Sequence, residues 1–141
     1  MNPPPVHATA VALRCADGWR GALLRGPSGA GKSDLALRLM AGGWRLVGDD
    51  YVHVFTSGGH PYAAPADRIA GRIEARGLGI LRDRHLPLAR VRLVVDCVQE
   101  AVERLPGPAI VTLAGAIVPA LKLDIRAASS VALLAHAMRR L

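Results

Sequence analysis

The sequence predicts a strand-rich α/β domain built around a phosphate-binding loop, and three observations carry that expectation. Gly26, Pro27, Ser28, Gly29, Ala30, Gly31, Lys32 and Ser33 fit G-x-x-x-x-G-K-[ST], the P-loop pattern. The run 20–25 (RGALLR) before it is strand-like, and Leu35, Ala36, Leu37, Leu39 and Met40 after it recur at helical spacing. Most of the chain beyond residue 43 is short β-forming runs cut by Gly, Pro and Asp turns.

The loop's residue types suit a nucleotide phosphate. Gly26, Gly29 and Gly31 let the backbone turn tightly and aim N–H groups at phosphate oxygens. Lys32 can reach the β- and γ-phosphates, the Ser33 hydroxyl can ligate Mg²⁺, and the helix after the loop adds its positive end.

The chain has 141 residues, the size of one domain with one core, so residues 1–141 are expected to form a single P-loop catalytic domain. Its 51% hydrophobic and 21% charged content describes a folded, soluble chain. The formal net charge is +7, yet the basic residues are scattered, with no run longer than two, and aromatics are sparse. That distribution speaks against nucleic acid and for phosphates or an acidic protein partner. Cys15 and Cys97 make no disulfide framework and fit a reducing compartment. The start, with its stiff leader at 3–5, has no signal-peptide pattern, and the longest uncharged run, 105–121, is broken by three prolines. No membrane span and a cytoplasmic location are expected, and 105–121 reads as core strands and turns.

In chain order, residues 6–15 and 19–24 around Asp17-Gly18 predict a hairpin, with His7 at its start. Gly42-Gly43 ends the P-loop helix, and a short strand over 44–47 runs into Asp49-Asp50. Acids at the end of such a strand are placed for metal or water handling, and adjacent carboxylates on extended backbone point to opposite sides, so at most one faces the phosphates squarely. Next come a strand over 51–55, a turn at 57–61 and a loop over 65–69. In a strand over 72–76, Arg72, Glu74 and Arg76 share one face, either as a surface ladder of ion pairs or as a phosphate and metal station. After a charged turn at 82–85, residues 91–98 predict a central strand. Further strands are expected at 110–113, 117–118 and 121–126, then a last helix capped by Ser129 or Ser130 with Val131, Leu134 and Met138 on one face.

The chain lacks the N-K-x-D and D-x-x-G motifs of guanine-selective GTPases and the L-S-G-G-Q of transporter ATPases. Its strand-rich remainder also argues against small-molecule kinases, which carry a lid and a helical insert. Read together, the P-loop followed by Asp34, then Gly-Trp-Arg-Leu-Val-Gly-Asp-Asp at 43–50, then Ile-Glu-Ala-Arg-Gly-Leu-Gly-Ile at 73–80, resemble the HPr kinase/phosphorylase catalytic domain. In that family a P-loop, an R-L-V-x-D-D strand end and an E-x-R-G-L-G-I signature occur in this order.

The resemblance implies an α/β, phosphoenolpyruvate carboxykinase-like architecture and a short form limited to the catalytic domain. It implies ATP and Mg²⁺ as cofactors and an HPr-like phosphocarrier protein as partner, in the regulation of phosphotransferase-system carbohydrate metabolism. It also implies a homo-oligomer, a hexamer by family analogy. Asp50 matches the acid that exchanges the acceptor serine's proton, and His7 a histidine that assists it. Lys32 matches the phosphate-binding lysine, Ser33 and Glu74 the metal ligands, and Arg104 an active-site arginine. The family segment linked to dephosphorylation runs roughly V-P-V-K-V-G-R, and the nearest stretch here, Val-Pro-Ala-Leu-Lys-Leu-Asp at 118–124, lacks the Gly-Arg. The alternatives are a small-metabolite kinase and an ATP-sensing module without turnover.

Overall fold

Short β-forming runs make strand the commonest element of this protein. The structure, a computed structural model, describes residues 4–141 and contains eleven strands and two α-helices there. The expected leader at 3–5 thus falls partly outside the described residues.

Nine strands join one mixed sheet. The strand predicted over 6–15 divides at Ala8 into β1 (Val6–His7) and β2 (Thr9–Cys15), because Ala8 donates its N–H to Asp50 O (3.1 Å) and β1 pairs with a different neighbour. β2 and β3 (Gly18–Arg25) form the expected hairpin, and β4 (Arg45–Gly48) lies antiparallel along the other side of β2. β5 (Tyr51–Ser57) and β6 (His60–Pro65) form a second hairpin, whose Gly58 and Gly59 both have positive φ, and β1 adds to β5. β7 (Arg72–Ala75) and β8 (Gly79–Arg82) make a separate ribbon. β8 was not expected from the sequence; Gly77 and Gly79, at φ +97° and +108°, turn the chain back so that Glu74 faces Ile80.

The predicted central strand is β9 (Ala89–Val98), parallel to β3 on one side. It pairs with β6 at its N-terminal end and, in parallel, with β11 (Ala116–Asp124) along its C-terminal half, and β10 (Ala109–Leu113) is the edge beyond β11. The two strands expected at 117–118 and 121–126 are this one β11, which ends at Asp124. Pro119 sits opposite Ile110, just short of the β9 pairing that begins at Ala120, so it does not break the parallel ladder. The structure corrects the reading of 105–121 as core: Ala116 and Val118 of this hairpin are buried, but Ile110 and Ile117 on it, and Leu105 before it, are exposed.

Both faces of the sheet are covered. On one, α1 (Lys32–Ala41) and α2 (Ser130–Arg139) pack Leu35, Ala36, Leu39, Leu134 and Met138 against Val11, Leu24, Leu46 and Val95. On the other, Ala10, Leu23, Val47 and Val94 meet Val52, Val54 and Ala63 of the β5–β6 hairpin. Val91 and Leu93, two apart, belong to opposite faces because the β3–β9 register slips between Gly21 and Ala22, and one extra residue reverses the alternation.

α1 ends as expected, with Gly42 N–H on Leu39 O (2.9 Å) and Gly43 at φ +96°. At the start of α2, Ser129 occupies the N-cap position but its side chain makes no capping bond, and Ser130 Oγ instead accepts from Arg38 Nη1 at 2.8 Å. Leu39 is fully buried beneath α1, so Leu39→Ala is expected to lower stability by about 2–5 kcal/mol, read as an earlier urea midpoint with an unchanged slope.

Candidate active site

Four strands end on the same side of the sheet. β3, β9 and β11 run parallel to one another, and β4, antiparallel to β2, shares their direction. Their carboxyl ends deliver the P-loop after β3, Asp49 and Asp50 after β4, Gln99 after β9, and Ile125 and Arg126 after β11, the edge where open α/β sheets hold ligands. There the P-loop, Asp50, Gln99, Ile125 and Arg126 line a cleft of about 560 Å³.

The P-loop has the backbone its glycines were expected to permit: Gly26, Gly29 and Gly31 all have positive φ, at +154°, +81° and +100°. Gly31 is the residue before α1, and Leu35 N donates to its carbonyl. Lys32 is only 6% exposed, and its ammonium donates to the carbonyls of Gly26 (2.6 Å) and Pro27 (3.0 Å), which draws the side chain back along its own loop. Gln99 Nε2 braces the loop from β9 by donating to Ala30 O at 2.9 Å.

The two adjacent acids divide, but not by the pleat of an extended strand: β4 ends at Gly48 and both lie in the bend after it. Asp49 is buried; its Oδ1 accepts from Thr9 Oγ1 (2.9 Å) and Ser33 Oγ (2.7 Å), and its Oδ2 lies 3.4 Å from Glu74 N. One carboxylate thus joins β2, α1 and β7. Asp50 adopts φ +68°, turns out of the strand and meets His7 Nε2 at 3.1 Å, on the cleft wall. Glu74 and Arg76 also line the cleft. In β7, Arg72 and Glu74 are exposed while Ile73 and Ala75 are buried, the alternation read from the sequence.

The wall opposite comes from α1 and the end of β11. Arg38 donates to Ile125 O (3.0 Å) as well as to Ser130 Oγ, tying α1 to the C-terminal segment. Arg126 Nε and Nη2 donate to the two oxygens of Asp124 at 3.0 and 3.1 Å, which holds the Asp124 carboxyl below its usual value. A second recess of about 360 Å³ lies between Pro27–Ala30 and the end of β9. Cys97 lines it but is buried, and desolvation, outweighing nearby Lys32, pushes its thiol up to about 11.

Of the residues singled out in the sequence, His7, Lys32, Ser33, Asp50 and Glu74 meet in the one cleft. Arg104 does not: it lies in the exposed, irregular stretch 101–108, outside the cleft lining. Thr9, Arg38, Gln99 and Arg126 line the cleft without having been singled out. Among the described residues no three His, Cys, Asp or Glu side chains form a metal cage. No helix there is long and apolar enough to cross a membrane.

A glycine-rich loop between strand and helix, at the carboxyl edge of a mixed sheet with acids beside it, has the sequence pattern and the arrangement of a P-loop domain. The family model described as HPr Serine kinase C-terminal domain matches residues 19–139, and the chain belongs to that family. Similar proteins include an HPr kinase/phosphorylase of Neisseria meningitidis, 36% identical over 87 residues (56% of this chain, 27% of that protein). Another, from Streptococcus thermophilus, is 44% identical over 62 residues (43% of this chain, 20% of that protein). The chain thus spans about a quarter or less of the length of these relatives. The solved structure of the Hpr(Ser) kinase/phosphatase from Coxiella burnetii shares the fold, with a TM-score of 0.79 over 98% of this chain and 89% of that one at 22% identity. The strand-rich α/β expectation therefore holds.

Proposed function

We propose that this chain is an ATP-dependent protein serine kinase whose substrate is an HPr-type phosphocarrier, working as a single catalytic domain in the cytoplasm. The observation that carries the reading is the His7–Asp50 pair, set in the same cleft as Lys32 and Ser33. A base, a phosphate-binding lysine and oxygen ligands around one volume are what phosphoryl transfer to a hydroxyl requires.

Asp50 takes the proton of the acceptor serine, and His7 holds the Asp50 carboxylate in place through its Nε2 contact. The serine oxygen attacks the γ-phosphorus in line, and the bond to the β-phosphate oxygen breaks, releasing ADP. Lys32 leaves the Gly26 and Pro27 carbonyls for the phosphate oxygens. The donors present are a hydroxyl and carboxylates, all hard oxygen ligands, so the site fits Mg²⁺ held by Ser33 and Glu74, with phosphates completing its shell. When bound, the ion neutralises charge on the β- and γ-phosphates. In the reverse direction an oxygen of inorganic phosphate attacks the phosphoserine phosphorus, the bond from phosphorus to the serine oxygen breaks, Asp50 returns a proton to that oxygen, and the pyrophosphate formed is released. Assembly as a homo-oligomer, hexameric by family analogy, and regulation of phosphotransferase-system metabolism belong to the same proposal.

The test uses purified protein, Mg-ATP and an HPr-like carrier on a gel that resolves phosphoserine, followed by a chase with inorganic phosphate. Carrier phosphorylation supports the kinase, and phosphate-driven release of pyrophosphate supports the reverse reaction. Nucleotide binding without transfer to any carrier would sink the kinase reading.

A further inference from the structure

We infer that the nucleoside of the bound triphosphate sits at the Leu37–Ile125–Arg126 end of the cleft, with the Arg126 guanidinium stacked on the base. The inference rests on the nucleotide-binding reading above and adds where the base lies and what holds it.

The cleft has two chemically different ends. At one are His7, Asp50, Glu74 and Arg76, the acids and the charge that a reacting γ-phosphoryl and its acceptor need. At the other, across the P-loop, Leu37 of α1 and the buried Ile125 after β11 give an apolar floor beside Arg126. A triphosphate lying along the loop with its terminal phosphate at Asp50 must send its nucleoside away from those carboxylates, toward this second end. The apolar floor suits a base and offers a phosphate nothing.

Arg126 is prepared for a flat partner. Asp124 occupies its Nε and Nη2, so the planar fork is held at one edge while its faces and Nη1 stay available. A guanidinium so fixed stacks on an aromatic plane at little entropic cost, which a lysine cannot reproduce. Arg38, the neighbouring cation, is committed to Ile125 O and Ser130 Oγ and helps to fix the floor. Nothing in such a seat reads base edges, so adenine and guanine nucleotides are expected to bind within a few-fold of each other.

The experiment compares ATP with inorganic tripolyphosphate by calorimetry, on wild type, Arg126→Lys and Arg126→Ala. Arg126 is largely exposed, so both variants are expected to fold as wild type does. Wild type should bind ATP more tightly than tripolyphosphate. Arg126→Lys should weaken ATP about tenfold, of the size stacking contacts supply, and leave tripolyphosphate unchanged. Equal weakening of both ligands would make Arg126 a phosphate ligand and overturn the inference. So would photolabelling by 8-azido-ATP at residues 97–100, in the second recess, instead of at 125–126. Tripolyphosphate bound as expected with ATP no tighter would sink the nucleoside seat alone. Failure of wild type to bind either ligand would sink the nucleotide reading along with it.

Discussion

Asp50→Asn is expected to reduce phosphoryl transfer to the carrier by roughly 10²–10⁴-fold, the usual worth of a positioned general base, while nucleotide affinity stays within a few-fold of wild type. The amide is nearly isosteric and can still meet His7, so the geometry survives and only the proton acceptor is lost. Single-turnover transfer and calorimetric binding on the same preparation check it. Loss of binding together with turnover would mean that Asp50 holds the nucleotide. Full activity would remove it from the chemistry.

The second large effect belongs to its neighbour. Asp49→Ala leaves Thr9 Oγ1, fully buried, without its acceptor, and frees Ser33 Oγ. A stability loss of about 1–3 kcal/mol is expected for a buried hydroxyl so stranded. Mg²⁺-dependent nucleotide affinity should fall as well, because Ser33 loses its acceptor and the negative charge beside it, which would favour a cation held at Ser33, is gone. Asp49→Asn separates the two roles. Its amide oxygen can still accept, so the urea midpoint should recover, whereas the charge and the Mg²⁺-dependent affinity should not. Recovery of both would reduce Asp49 to a structural residue.

How these two acids share the work shows what could be read in advance. That only one of them would face the phosphates squarely is what the pleat of an extended strand implies, although both lie in the bend past the end of β4. Which one, and how the other is used, depends on the positive φ of Asp50 and on Thr9 arriving from another strand, and neither leaves a local signal. The P-loop, the helix after it, the β2–β3 hairpin and the central strand β9 were legible because each is written in contiguous periodicity. β8 was not, being four residues whose pairing is imposed by two glycines. The split at Ala8 and the unbroken β11 were equally hidden, since both are decided by which neighbour each strand meets. Gln99 and Arg126 were invisible as cleft residues for the same reason: they matter only because β9 and β11 end beside β3. Arg104 shows the converse, a residue matched along the sequence that the fold leaves at the exposed stretch 101–108.

The cleft draws on residues from His7 to Arg126, and the P-loop strand finds its parallel neighbour across the gap from Arg25 to Asp96. During synthesis, at roughly 5–20 residues per second, the loop is therefore out of the ribosome seconds before β9 and β11 exist. The β2–β3 hairpin can form early from local contacts, but parallel pairing over such separations is slow. Of all the parts of this protein, the place where chemistry would occur is among the last to come into being.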